Sequence, residues 1–277
     1  MPGFDALKTS ELSSQNWNLT DWVTLIDDQL RGKDFKHARE SILQGLTLFP
    51  DQHVLLDRLF IVDARWNKPL ISNRIHLSIP GEDDFSFLQQ CYENTSFMEQ
   101  LLPMGRRKQK PASLLQALRH NEFSVAQSKT MHWIIKKEVQ STDHQFPSPV
   151  TLKPIGLASL IDIQIAHRRA ELLVGFPDVG GRYKVSAIVM LLIFDFAFNQ
   201  IGLHKLVSTV LANNQHSQHS TVAIGFSLEG VRRQHLRHPK TREWLDCYEN
   251  GLVADSFRAN PVIARLSKRL LDRDITA

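Results

Sequence analysis

Cysteine is scarce in this chain: among 277 residues only Cys91 and Cys247 occur, far apart and without a Cys-x-x-Cys pair. That excludes a disulfide framework and a cysteine zinc site, and it fits a reducing compartment, so a cytoplasmic protein is expected. Long apolar runs are also missing. None reaches the ~18 residues that would suggest a membrane span, and the longest apolar segment is interrupted at Asp195. The N-terminus has no basic segment followed by an apolar core, so no signal peptide is expected. Charge of one sign is not in large excess either. Lys and Arg number 33 against 29 Asp and Glu, a net charge of +4. This mildly favours anionic partners such as phosphates and is too small to argue for nucleic acid. What remains is the composition of a soluble globular protein, 42% hydrophobic and 22% charged. The length is comfortable for one and a half to two domains.

The N-terminal part carries helical spacing. Trp22, Leu25, Phe35, Ala38, Gly45, Leu46 and Leu48 recur at helical intervals, Gly32 falls where the chain should turn, and Pro50 ends the second helix. The pattern resembles one tetratricopeptide repeat, with residues 53–66 as the first helix of a second. An αα-hairpin is the plainer alternative. Asn67-Lys68-Pro69 breaks the pattern, giving an expected division into a helical module over 1–70 and a second domain over 71–277. In that second part, 75–79 and 130–139 alternate like strands, Asp84 is placed to cap a helix through Phe85 and Cys91, and 153–161 reads as a further strand. A short helix is expected over 114–118, a surface loop over 141–149 and an amphipathic helix over 261–273. The basic run 106–110 is either a solvated loop or a contact for phosphate or an acidic acceptor.

The most informative stretch runs from Ala170 to Phe226. Leu172-Leu173-Val174-Gly175-Phe176 is a short apolar strand, and Pro177 to Gly181 is a turn. Residues 183–200 form a helix with almost no polar face, only Ser186, Asp195 and Asn199. A second strand begins near Leu203, and Asn213-Asn214 opens a short helix that ends at Gly225-Phe226. Strand, buried helix and returning strand make a βαβ-like unit. A ligand is most naturally held where the amides at the head of that helix point outward.

Four pieces of this stretch resemble the GNAT superfamily of acetyl-coenzyme A-dependent N-acetyltransferases. They are Ala170-Glu171, Asp195-Phe196-Ala197-Phe198, Gly202 to Leu206, and Asn214-x-x-Ser217 ahead of Gly225-Phe226. The nearest branch is the one containing the ribosomal-protein N-terminal acetyltransferases, and the resemblance covers roughly 74–256. It implies a mixed α/β (α+β) fold, a twisted central sheet flanked by helices, preceded here by the small all-α module. It implies acetyl-CoA as co-substrate, no metal, and an amine acceptor that is a small molecule, such as an amino sugar, or a peptide amino group. The helical module offers a site for a protein partner.

The same resemblance places the chemistry. Glu171 stands where several members place the general base, acting through water; a hydrogen-bonding role inside the sheet is the alternative. Ser217 matches a position that protonates or hydrogen-bonds the departing thiolate, although helix capping by Asn214 and Ser217 explains the motif equally well. Thr221 falls where many members carry a tyrosine acid, which leaves Ser217 or water as the proton source. The cofactor is expected against Val174, Phe176, Gly181, Arg182, Tyr183, Lys184, Val185, Ser186 and Asn214. The family's loop has small glycines where this chain has Lys184 and Ser186, and glycine permits close approach of backbone to phosphate. Lys184, Arg182 and the Ser186 hydroxyl compensate if coenzyme A binds. If it does not, the domain is an inactive scaffold and the helical module a partner-binding platform. His216 and His219 flank the second helix without a carboxylate or cysteine beside them, so no metal site is expected.

Overall fold

The computed structural model describes residues 17–72, 74–101, 129–139, 151–178, 183–238 and 240–277. The expected helix at 114–118, the basic run at 106–110, the loop at 141–149 and the residues Gly181 and Arg182 lie outside them. The chain divides into two compact units, Met1–Asp63 and Ala64–Ala277.

The first unit holds three helices, α1 (Leu19–Arg31), α2 (Phe35–Leu48) and α3 (His53–Ile61). The start of α1 is a capping box: Asn18 Oδ1 accepts from the Thr20 and Asp21 amides, and Asp21 Oδ2 accepts from the Asn18 amide. Of the expected apolar positions Trp22, Ala38 and Gly45 are buried, joined by Ile26, Ile42 and Leu55, whereas Phe35 and Leu48 are exposed. The turn after α1 falls at Gly32, as expected. Gly32 stays right-handed at φ −74, and the left-handed residue is Lys33 at φ 61. A half-buried ion pair that local reading does not reveal joins α1 to α3. Arg58 donates through Nε and Nη2 to the two Asp27 oxygens at 2.8 and 2.7 Å, and through Nη1 to the Val54 carbonyl at 2.8 Å. This fork-to-fork geometry is the strong form of the pair.

The second unit is a mixed α+β layer structure built on one eight-stranded sheet. Its strands are β1 (Leu70–Ser72), β2 (Ile75–Ser78), β3 (Lys129–Val139), β4 (Thr151–Gln164), β5 (Arg169–Gly175), β6 (Lys205–Leu211), β7 (Ser227–Arg237) and β8 (Trp244–Val253). They lie in the order β1-β2-β3-β4-β5-β6-β8-β7, and β5–β6 alone is parallel. A parallel neighbour cannot be reached by a hairpin. The crossover is α6 (Tyr183–Phe194), the expected apolar helix.

That helix runs on through Asp195, as expected. It continues as a π-helical segment, Asp195–Ile201, and ends at Gly202. The carboxylate of Asp195 is buried and fully served: Asn199 donates at 2.9 Å, Gln200 at 3.0 Å and Arg273 at 2.9 Å. A buried charge that is paired and hydrogen-bonded is tolerated inside a helix, so the interrupting residue becomes an anchor for the C-terminal tail. Residues Lys184–Ile201 are thus long and apolar enough by composition to cross a bilayer, yet most of the segment is buried within the fold. Around it Phe194, Phe198, Phe226 and Phe257, the last from the short helix α8 (Ala254–Arg258), form one aromatic cluster. Trp66 and Trp133 meet Phe196 edge-on.

Elsewhere the structure departs from expectation. Asp84 is buried and does not cap α4 (Phe85–Glu93); its carboxylate folds back to the Gly81 amide at 2.9 Å and pairs with Lys136 at 2.7 Å. The strand expected over 153–161 runs the full length of β4, through Pro154. Proline offers no donor to the ladder, and the β3–β4 register shifts between Ile135 and Lys136, where Lys136 meets Pro154. The last helix, α9 (Pro261–Leu271), starts at the Asn260 cap with proline at its first position and buries Ile263, Leu270 and Leu271. Gly225, at φ +120, sits against it; a Cβ there would lie 2.9 Å from Ile263.

Candidate functional site

The parallel pair β5–β6 is short. Its register holds for Arg169 with Lys205, Ala170 with Leu206 and Glu171 with Val207, and then stops. Both strands run on, β5 to Gly175 and β6 to Leu211, each still paired on its outer side with β4 and β8. The sheet therefore forks at Glu171. Beyond it, the facing edges of residues 172–175 and 208–211 have no strand partner in each other.

Glu171 sits at the base of the fork, half-buried, as the last paired residue of its strand. Cys247 lies close enough to feel its charge. Burial pushes the Cys247 thiol up, with the carboxylates of Asp246 and Glu171 adding to the effect and Arg232 opposing it. Burial raises Cys91 to about 12. Neither cysteine is a thiolate near neutral pH, so neither offers an activated sulfur nucleophile.

On the β6 side, α7 (Gln215–Ala223) follows the fork. Asn214 caps it, its Oδ1 accepting from the Ser217 amide at 3.1 Å. Ser217 is half-buried in the first turn. Thr221 and Gln218 are buried, and Gln218 exchanges two hydrogen bonds with Asn250 of β8, at 2.8 and 2.9 Å. The Asn250 amide also donates to the Ser208 carbonyl at 3.1 Å, at the first residue past the parallel pair. A fully satisfied buried amide pair thus pins α7 to the base of the fork. Sequence reading missed this pair, and only the polar Asn250 inside an otherwise strand-like run could have signalled it. His216 and His219 are exposed, and no metal-binding grouping occurs among the described residues.

On the β5 side, α5 (Thr95–Leu101) crosses the end of the strand. A Cβ on Gly175 would lie 2.8 Å from both Phe97 and Leu101, and one on Gly156 would lie 2.7 Å from Phe176. Both glycines are there because helix and ring press directly on backbone.

Two clefts flank the fork. One, of about 150 Å³, lies between α5 and the β7–β8 hairpin and is bordered by Ser96, Glu99, Leu211, Asn213, Arg237 and His238. Glu99 in its wall pairs with Lys240 at 3.3 Å. No motif marks Glu99 in the sequence; its only signal is an acidic residue among Phe97, Met98 and Leu101. The second, of about 460 Å³, wraps the end of β5. Phe176, Pro177 and Val185 line it together with Phe87, Lys137 and Lys153.

Of the expected site residues, Phe176 and Val185 come together in this second cleft. Val174 is in β5 opposite Ala158, and Tyr183 is the first residue of α6. Lys184 is exposed, Ser186 is half-buried, and neither lines the cleft. Glu171 stands at the fork's base, and Asn214 with Ser217 heads α7.

No protein-family model matches the chain, and no curated protein does. Solved structures are similar. Spermidine N-acetyltransferase from Vibrio cholerae, in complex with CoA and spermine, superposes with a TM-score of 0.50 at 18% identity, over 65% of this chain and 95% of that one. A protein of Chromobacterium violaceum assigned to the GNAT family of acetyltransferases gives 0.51 at 18% identity, over 68% of this chain and 86% of that one. A protein of T. thermophilus described as an acetyltransferase gives 0.50 at 20% identity, over 73% of this chain and 97% of that one. The chain therefore has a GNAT-like fold.

Proposed function

We propose that the chain is an acetyl-CoA-dependent N-acetyltransferase acting on a primary amine. The observation that carries this reading is the fork in the sheet, opening at Glu171 between two strands that part while each remains held on its outer side. An extended ligand bearing amides can complete such an edge, as an added strand would. The chain residues fit that ligand. Lys184, at a position where the resembled loop has glycine, is exposed, and it is Val185 that lines the cleft at the end of β5. The solved neighbour that holds both CoA and spermine supports a thioester donor and an amine acceptor.

The donor, when bound, supplies an acetyl thioester. The acceptor nitrogen must attack as the neutral amine, and its C–N bond forms as the C–S bond breaks. In this reading Glu171 takes the nitrogen's proton, directly or through one water. Ser217 hydrogen-bonds the departing sulfur, which leaves with a proton. Glu99 offers an amine acceptor a carboxylate partner, while Arg237 and His238 in the same wall suit an acidic or phosphate group carried by the acceptor. An amino sugar borne on a nucleotide has that character. A peptide amino group is the acceptor suggested by the ribosomal-protein branch and by the TPR-like reading of 1–70, a module suited to a polypeptide, ahead of the catalytic domain over 71–277.

A second reading is an inactive scaffold. It is favoured by Lys184 and Ser186 in the places of glycines. Calorimetry with acetyl-CoA separates the two: binding, followed by thiol release when amines are added, is expected for the enzyme. No binding at high micromolar concentration leaves the scaffold. Within the enzyme reading, Glu171→Gln lowers turnover more than affinity for acetyl-CoA, and Ser217→Ala slows acetyl transfer. Full activity in either variant removes that residue from the mechanism.

A further inference from the structure

Lys137 and Lys153 stand directly opposite one another in the β3–β4 ladder. Like charges so placed repel and cost stability. Their neighbour Lys136 is neutralised by Asp84 at 2.7 Å, whereas neither Lys137 nor Lys153 has an acidic partner among the described residues. Both are exposed, and both line the cleft of about 460 Å³ at the end of β5. The rest of that wall is largely apolar, with Phe87, Pro154, Phe176 and Pro177, and it reaches Val185, the third residue of α6. Among the described residues Asp178 is the one acidic residue lining it, against the two lysines. The first turn of α6, the positive end of the helix dipole, borders the same space through Val185.

We propose that Lys137 and Lys153 bind the phosphate groups of the acyl carrier, supplying from the neighbouring strands the positive charge that a glycine cradle would otherwise supplement with close backbone contact. This rests on the acetyltransferase reading and assigns its anion-binding side chains. An anion between the two ammonium groups removes their mutual repulsion and gains two charge-assisted contacts. The apolar wall beside them accommodates the uncharged part of the carrier.

The test is calorimetry of the full chain with coenzyme A and with pantetheine, which lacks the phosphates. The wild-type protein is expected to prefer coenzyme A. In the K137A/K153A double variant the ratio of the two dissociation constants falls about tenfold, on the scale of two exposed charge contacts. Raising the salt concentration reduces the wild-type preference in the same direction. An unchanged ratio, an equal loss of both ligands, or a ratio moved by K184A and not by the double variant overturns the assignment while leaving the acetyltransferase intact. If the wild-type protein binds neither ligand, the acetyltransferase reading falls and the phosphate site with it.

Discussion

His132 makes the fold sensitive to acid in a calculable way. It lies in β3 opposite Ser159 of β4, and its Nδ1 is 2.7 Å from the Ser159 hydroxyl. Burial lowers its pKa from 6.5 to about 4. The folded protein therefore keeps the ring neutral, while the unfolded chain takes up a proton as pH falls below the ordinary value. Stability is flat above about pH 6.5, falls as pH drops toward about 4, and levels off below that. At about pH 4.5 the loss from this one group amounts to roughly 2–3 kcal/mol. Ser159 also pairs with Leu173 of β5, so protonation acts on the strand that forms one arm of the fork.

The assay is urea unfolding at about pH 7 and about pH 4.5 for the wild type and His132→Gln. The amide can still bond Ser159 but does not titrate. Asp274, held at about 2 chiefly by its hydrogen bonds to Thr276, is common to both proteins and cancels in the difference. The wild type should lose about 2–3 kcal/mol more than the variant over this interval. Equal losses would mean that the ring is solvated enough to titrate normally, and the reasoning from burial would be refuted.

Two further substitutions test the architecture of the fork. Gly175→Ala puts a methyl 2.8 Å from Phe97 and Leu101. It should cost about 1–3 kcal/mol in denaturation; a neutral result would mean that α5 is free to lift off the strand. Asn250→Ala strands the buried Gln218 amide and frees the Ser208 carbonyl. A loss of about 1–3 kcal/mol is expected, with faster amide exchange in α7; unchanged exchange there would show that the helix is held by other contacts.

What could be read from the sequence was local. The apolar run 172–176, the turn after it and the featureless helix at 183–200 placed β5, α6 and β6, because a parallel pair demands a crossover and this stretch has room for one. The Asn214 cap was readable for the same reason: its partner, Ser217, is three residues away. What failed was long-range. Asp84 looked like a cap because helix-start chemistry follows it, but Lys136, from another strand, claims its carboxylate. Asp195 looked only like a polar residue of the buried helix, because its partner Arg273 is absent from any local window. The fork itself has no signature in residue type, since the strands that part are as apolar as strands that pair. Its position depends on where the β5–β6 register ends, and no window of sequence contains both strands' neighbours.

The missing glycines illustrate the same limit from the other side. Read as letters, Lys184 and Ser186 crowd a phosphate, because the loop's requirement is close approach of backbone. On a helix, however, successive side chains point about 100° apart, so residues 184, 185 and 186 face three different directions. Val185 is the one that borders the cleft, with Lys184 exposed and Ser186 half-buried. A large side chain obstructs an anion only if it projects into the space the anion occupies, and these two lie outside the cleft lining. A positive group can be supplied from anywhere that borders the same cleft, and the opposed lysines of β3 and β4 border it.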